Sequence, residues 1–580
     1  MKSNKFIFTV IALIICFALF LAGCSDNSTN DTSTSADTVT SSDAMTVEYD
    51  TDDYYFDWQS QSYTTINLNN GSSTITQSGI YNITGTLDDG SLIVCVDKSA
   101  DDGTVYLVLN GANISSSDSA PIYIINAQKV VLILEDGTQN TIYQGSSVKT
   151  DDSGNPSAAI FSKSDLTITG SGTLIVTSDY NDGITSKDTF KMTDGTLIVN
   201  AAQDGIVGKD LLAVENGNIT ITSKKDGMRS TNDDDDGMGN VVIDGGTFNI
   251  TANNDGIQAY ALLQIYGGTF DITTYGGYTG STTNGNFGVM QDNTTTSAET
   301  DSMKALKGSQ SLIINGGTFK ISSSDDAVHS NGDITIAGGT FTIQTDNDAI
   351  HSDANINITA GSITIENCYE SIEAANVTIE GGDINMTSSD DGFNVNSSSG
   401  ILTINGGEIY LNVGGDGVDS NGSVMMSGGT VYIDGPTNNG NGAIDYNSSF
   451  EITGGTIIAA GSSSMAEVPD SGTQPSILMY YSSSQAAETT ITLKDSSGNI
   501  IAAYTPTKLY ESVAISTPKL STGSTYTLYS GNSEVVTFKI IDTITYLDEN
   551  GITTKQGMST GGGGTVGGMG GGQSGRPGGR

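Results

Sequence analysis

The sequence predicts an all-β protein, a single-stranded parallel β-helix with about 22 residues per coil and a small C-terminal β-strand cap. Three observations carry that prediction. A unit of strand, Gly-Gly-Thr turn, strand, acidic turn and third strand recurs, as in Asp333 to His351; residues alternate with a period of two inside each strand; and no apolar run keeps a 3.6-residue period beyond the amino-terminal segment. Glycine, at 73 residues, and β-branched side chains interrupt every would-be helix. The nine-residue calcium β-roll repeat does not divide a period of 22.

Taken in order, the chain opens with Lys2, Lys5 and an apolar run from Phe6 to Leu21 that meets Leu21-Ala22-Gly23-Cys24. Residues 1–23 are expected to be an export signal, because the run is short for a spanning helix. The small residues ending in cysteine resemble the lipobox of bacterial lipoproteins, which makes Cys24 the lipidated first residue and places the protein on the outer face of a bacterial membrane. Residues 24–50, rich in Ser, Thr, Asn and Asp, read as a disordered tether. Residues 51–475 hold the β-helix, with its first coil near Thr64, and 476–546 lose the repeat and become ordinary strands that close the open end. Residues 547–580, Gly-rich from Gly557, read as a disordered tail.

The formal charge of −44, from 66 acidic and 22 basic residues, argues against nucleic acid and against an anionic membrane surface as partners. Membrane contact is expected only through the lipid, the chain is expected to be a monomer, and calcium is the natural guest. Once Cys16 goes with the signal and Cys24 takes lipid, only Cys95 and Cys368 remain, far apart, so no disulfide framework is expected.

The register follows from aligning the aliphatic centre of the third strand: Ile184, Ile206, Met228, Ile257, Leu306, Val328, Ile350, Ile372, Phe393, Val418 and Ile444. Five of the ten steps are 22 residues, and the long ones carry insertions at 231–240 and about 276–302. A fixed period between strands means that each coil pairs with the next by parallel ladder hydrogen bonds.

With the aliphatic residue inward, its neighbours are expected outward. The preceding position is small throughout, Gly183, Gly205, Gly227, Gly256, Ala305, Ala327, Ala349, Ser371, Gly392, Gly417 and Ala443, which reads as a smooth exterior strip. Two before the aliphatic residue stand Asp182, Asp204, Asp226, Asp255, Lys304, Asp326, Asp348, Glu370, Asp391, Asp416 and Gly442, nine acids in eleven coils. The other flank carries Thr185, Val207, Arg229, Gln258, Lys307, His329, His351, Glu373, Asn394, Asp419 and Asp445.

Coils roughly 4.8 Å apart let acids of neighbouring coils share a Ca²⁺ with oxygens at about 2.4 Å, and without a cation such a ladder repels itself. Asp325, Asp326, Asp346, Asp348, Glu370, Glu373, Asp390 and Asp391 are the best-supplied ligands, beside the protein's two histidines. Asp-Gly and Asn-Asp pairs also form turns without any metal. A zinc reading of His329 and His351 lacks a cysteine or Glu-x-x-His partner; as an outward pair they can equally bond a sugar. Lys304 and Lys307 interrupt the acidic ladder, as a seat for a substrate carboxylate or as relief of its repulsion.

Asp151–Thr177, Asn181-Asp-Gly-Ile, the run Asp233–Asp236, Lys304-Ala-Leu-Lys, Asp326-Ala-Val-His, Asp348-Ala-Ile-His, Tyr369-Glu-Ser-Ile-Glu and Met465-Ala-Glu together resemble the clostridial carbohydrate-binding-domain family of β-helix proteins. That resemblance covers about residues 55–545. It implies a right-handed helix similar to pectate lyases, calcium on its face, and binding of cellulose-like and acidic polysaccharide. Ser371 and Ala349 stand where the family tends to glycine, and Asn347 interrupts a paired Asp-Asp.

Three functions compete. A surface module would bind polysaccharide along the strip, with Lys304, Lys307, Arg229, His329, His351 and Glu373 touching sugar. A polysaccharide lyase would use the same calcium and a base drawn from Lys304, Lys307 or Arg229. A calcium-stiffened adhesin would meet a neighbouring cell. With Trp58 placed before the repeats, any aromatic platform falls to Tyr260, Tyr266, Tyr275 and Tyr278. Binding is favoured on the resemblance, since fold alone does not fix function.

Overall fold

The computed structural model describes residues 44–280, 302–438 and 440–556. Cys24, the export signal, most of the tether, the tip of the 276–302 insertion and the tail from residue 557 lie outside them. Among the described residues the chain is all-β, with three single 3₁₀ turns and no α-helix.

Each repeat lays down three strands, and each strand pairs in parallel with its counterpart one repeat later. A long strand such as Thr318–Ser323 pairs with Thr340–Thr345. The short strand Val328–Ser330 pairs with Ile350–Ile358, and Ser311–Ile314 pairs with Asp333–Ile336. We call these the long, short and medium stacks. All ten predicted aliphatic pairings occur, from Ile184 opposite Ile206 to Val418 opposite Ile444. The column also runs upstream through Ile160, Ile122 and Leu92, where sequence repetition fades.

Alternation in the long strands sends every second side chain inward. Phe248, Phe270, Phe319 and Phe341 thus form a continuous stack, with rings 4.6–4.8 Å apart and within 7° of parallel. That offset matches the spacing between neighbouring strands, so ladder hydrogen bonds and ring stacking favour the same register. The Gly-Gly-Thr turn is required by the backbone: the second glycine takes φ of +105° at Gly339 and +112° at Gly317, where a β-carbon is strained.

The small column departs from expectation. It lines the inside of the corner between the long and short stacks, and its members are buried. A β-carbon on Gly205 would sit 2.4 Å from the Gly227 carbonyl oxygen and 2.6 Å from the Ile221 side chain. The chain bends here, so strict alternation fails, and close packing demands the small residues. Among the described residues this column forms no smooth exterior strip.

Two segments cover the ladder from outside. Residues 45–58 cross the medium stack, although composition put 45–50 in the tether. Asp53 is fully buried and bonds Lys129 Nζ at 2.6 Å, Lys191 Nζ at 3.1 Å and the Thr167 hydroxyl at 2.6 Å, while Tyr49 donates to Asp244. Burial opposes its charge, and the two lysines, the Thr167 hydroxyl and the Asp50 N–H still hold its carboxyl below the usual range. Trp58 is buried and donates to Glu135.

At the other end, Tyr510–Ser516 pairs antiparallel with the last long strand, Thr456–Gly461, occupying an edge that would otherwise template another chain. Ile491–Asp495, Ile500–Tyr504, Thr525–Ser530 and Ser533–Lys539 form a separate four-stranded antiparallel sheet. Asp434 fastens this end to the long stack by accepting from Tyr410, Tyr504 and the Thr507 amide. Cys95 and Cys368 are unpaired.

Candidate functional site

The acidic column is a hydrogen-bonded ladder. One oxygen of the ladder aspartates accepts the main-chain N–H of the equivalent residue on the next rung: Asp182 from Asp204, Asp204 from Asp226, Asp226 from Asp255 and Asp255 from Lys304 at 2.8–3.2 Å. Farther along, Asp326 accepts from Asp348, Asp348 from Glu370, Asp391 from Asp416 and Asp416 from Gly442. Lys304 has no oxygen to offer, and its neighbour on the next rung, Asp326, donates its N–H to Asp325 Oδ1 instead. That substitution explains the Asp325-Asp326 doublet. The ladder acids from Asp204 to Asp348 are buried, not exterior, because each is tucked under the next rung.

What reaches the second oxygen divides the ladder in two. Arg229 bonds Asp226 at 2.8 Å and lies 3.4 Å from Asp204, and Lys307 reaches Asp255 at 3.4 Å. Lys304 bridges Asp325 at 2.8 Å and Asp326 at 3.0 Å. Asp326 also meets His329 Nδ1 at 2.8 Å and His351 Nδ1 at 3.2 Å. Burial opposes its charge, yet Lys304 and the imidazoles hold its carboxyl well below the usual range. Burial lowers the pKa of His329, whereas at His351 the Asp326 carboxylate outweighs burial and raises it.

Beyond this point the bases end. No lysine or arginine occurs between Lys320 and Lys494. Asp348 is driven well above the carboxylate range by burial and by Asp326, Glu370 and Glu373. Burial and like charge push Glu370 to about 7, Asp391 to about 8 and Asp416 to about 7. Their partners are neutral amides, such as Asn394 on Glu370 at 2.7 Å and Asn396 on Glu373 at 3.0 Å. One ligand atom from each of Asp416, Asp419 and Asp445 lies within 4.8 Å of the others, and the same holds for Asp348, His351 and Glu373.

The predicted site residues therefore separate. Asp348, Glu370, Glu373 and Asp391 stand together in the base-free half, with Asp390 beside them and among the charges that raise Glu370. Asp325 and Asp326 share the single ammonium of Lys304. Asp346, two residues before the ladder's Asp348, holds the base of the 276–302 insertion, accepting from the Thr279 hydroxyl and amide and the Gly280 amide. Lys304, Lys307 and Arg229 turn their charges onto ladder acids. The four tyrosines form no platform: Tyr260, Tyr266 and Tyr275 follow strands of three different stacks, and Tyr266 donates to the Met45 carbonyl under the amino-terminal segment. Asp416, Asp419 and Asp445 were absent from the predicted ligands, although the disappearance of bases after Lys320 marks them.

A solved polysaccharide lyase-like protein from C. thermocellum, a gadolinium derivative, is 34% identical over 35% of this chain and 82% of its own, with a TM-score of 0.34. A carbohydrate-binding domain-containing protein of Acetivibrio thermocellus is 38% identical over 129 residues, 22% of this chain. The match spans 44% of that relative, less than half its length. The family profile described as carbohydrate-binding domain-containing protein matches residues 69–349 and 345–503, so the chain belongs to that carbohydrate-binding domain family.

Proposed function

We propose that this chain is a surface-anchored, calcium-dependent polysaccharide-binding protein, built as a right-handed parallel β-helix and held to the membrane through lipid on Cys24. The observation that supports this reading is the half of the ladder from Asp348 to Asp445, where, among the described residues, no lysine or arginine is ion-paired with Asp348, Glu370, Asp391, Asp416, Asp419 or Asp445. Asp416 and Asp419 on one rung and Asp445 on the next offer an oxygen-only donor set, the kind that Ca²⁺ takes. A bound Ca²⁺ supplies positive charge that relieves the ladder and attracts a uronate carboxylate. Neutral, cellulose-like chains have a different surface, the exposed and in-register hydroxyls of Thr247, Thr269, Thr318 and Thr340 on the long stack.

Binding is favoured over elimination because the three candidate bases are ion-paired. Lys304 is held in its protonated form by Asp326 and Asp325 against the effect of burial, which opposes proton abstraction.

The test is polygalacturonate retention in a native gel. Retention with calcium, loss on chelation, and loss in the Asp416→Asn/Asp445→Asn variant are expected. Unchanged mobility after chelation would remove calcium from the account, and unsaturated product appearing on incubation would favour the lyase.

A further inference from the structure

The two histidines sit where the ladder changes character, and their environment differs from the oxygen-only cluster at Asp416. Asp326 and His329 come from one rung, and Asp348 and His351 occupy the same positions on the next. Around Asp326 Oδ2 lie His329 Nδ1 at 2.8 Å and His351 Nδ1 at 3.2 Å, and His351 Nδ1 is 3.8 Å from Asp348 Oδ2. The imidazoles meet edge to face, 5.0 Å between centroids and 89° between planes. Asp326, Asp348 and His329 are each more than nine-tenths buried.

Tetrahedral coordination with bonds of about 2.0 Å separates neighbouring ligand atoms by roughly 3.3 Å. The two imidazole contacts to Asp326 Oδ2 lie just below that value, and one ligand atom from each of Asp326, His329 and His351 lies within 4.8 Å of the others, whereas Asp348 groups with His351 and Glu373. We propose that Asp326, His329 and His351 form a zinc-type site, an N₂O donor set that rivets two consecutive rungs and leaves a fourth position beside Asp348. Two imidazole nitrogens select a borderline-soft ion such as Zn²⁺ over Ca²⁺, which prefers six to eight oxygens.

The surroundings accommodate the ion. Lys304, 3.0 Å from the same Asp326 oxygen, has a second partner in Asp325 at 2.8 Å, onto which its ammonium would move when the metal takes that oxygen. Nε2 of His351 faces Asp353 at 3.7 Å, a carboxylate placed to fix the ring's other nitrogen. Glu373, beside Asp348 and His351, adds negative charge. The site shares no ligand with the Asp416 cluster and stands or falls separately from the calcium reading.

The test is titration of the metal-free chain with Co²⁺, whose visible absorption is strong only at four-coordinate sites. One equivalent should give that band, Zn²⁺ should abolish it, and excess Ca²⁺ should leave it. His329→Gln and His351→Gln should each weaken binding by more than about 100-fold, whereas Asp416→Asn should not change it. X-ray absorption of the zinc-loaded wild type needs no variant and should show two imidazoles. An all-oxygen shell, no cobalt band, or a band surviving both histidine substitutions would overturn the assignment.

Discussion

Asp255 and Asp391 accept the same bond, the N–H of the next rung's equivalent residue, and differ in what reaches the other oxygen. Burial raises the Asp255 carboxyl against the opposing charge of Lys307, while at Asp391 no such cation opposes burial and the carboxyl rises to about 8. The single side chains that neutralise the first half are therefore stability determinants. Removing one partner of a buried ion pair leaves an uncompensated charge and costs about 3–5 kcal/mol. Lys304→Met, which strips Asp326 of its ammonium, should lower the melting temperature accordingly, as thermal unfolding would record. Which residues occupy these columns was legible in the sequence, because the register was. Their burial was not: assigning the acids to the exterior assumed strict alternation through a corner where the chain bends.

The strand stacks follow from two signals that survive without tertiary information, the period of two and the spacing of 22, and both reappear in the pairing of Ile184 through Ile444. The small column shows where those signals stop. A list of glycines and alanines is compatible with a smooth surface or a tight inner corner, and only the approach of Ile221 to Gly205 decides between them. Gly205→Val should destabilise the chain by about 1–3 kcal/mol, through overpacking, in chemical denaturation; a surface strip would tolerate it. Contacts from distant segments were equally hidden: nothing local in residues 45–58 announces that Asp53 will lie between Lys129 and Lys191.

Across the whole molecule, charge is distributed in two regimes, acids interleaved with lysines and Arg229 up to Lys320 and acids with no lysine or arginine among them on to Lys494. Burial raises ladder carboxyls in both regimes, Asp182, Asp204, Asp226 and Asp255 in the first, and in the second, where no lysine or arginine opposes it, the rise gives a pH signature. Glu370, Asp391 and Asp416 keep protons in the folded chain up to about 7, 8 and 7, whereas ordinary carboxylates release theirs near 4 in an unfolded one. Between those limits the folded state binds more protons, so stability falls as pH rises. In chelator the melting temperature should decline from about pH 4 to pH 8, and calcium should flatten that slope.

The base-free ladder as a calcium seat is the claim on which the rest depends, and isothermal titration of Ca²⁺ into the metal-free chain tests it most directly. Saturable binding that disappears in the Asp416→Asn/Asp445→Asn variant, with Lys307→Met unaffected, is the expected result. Absence of binding heat in the wild type, or equal heat in the doubly substituted chain, would contradict it.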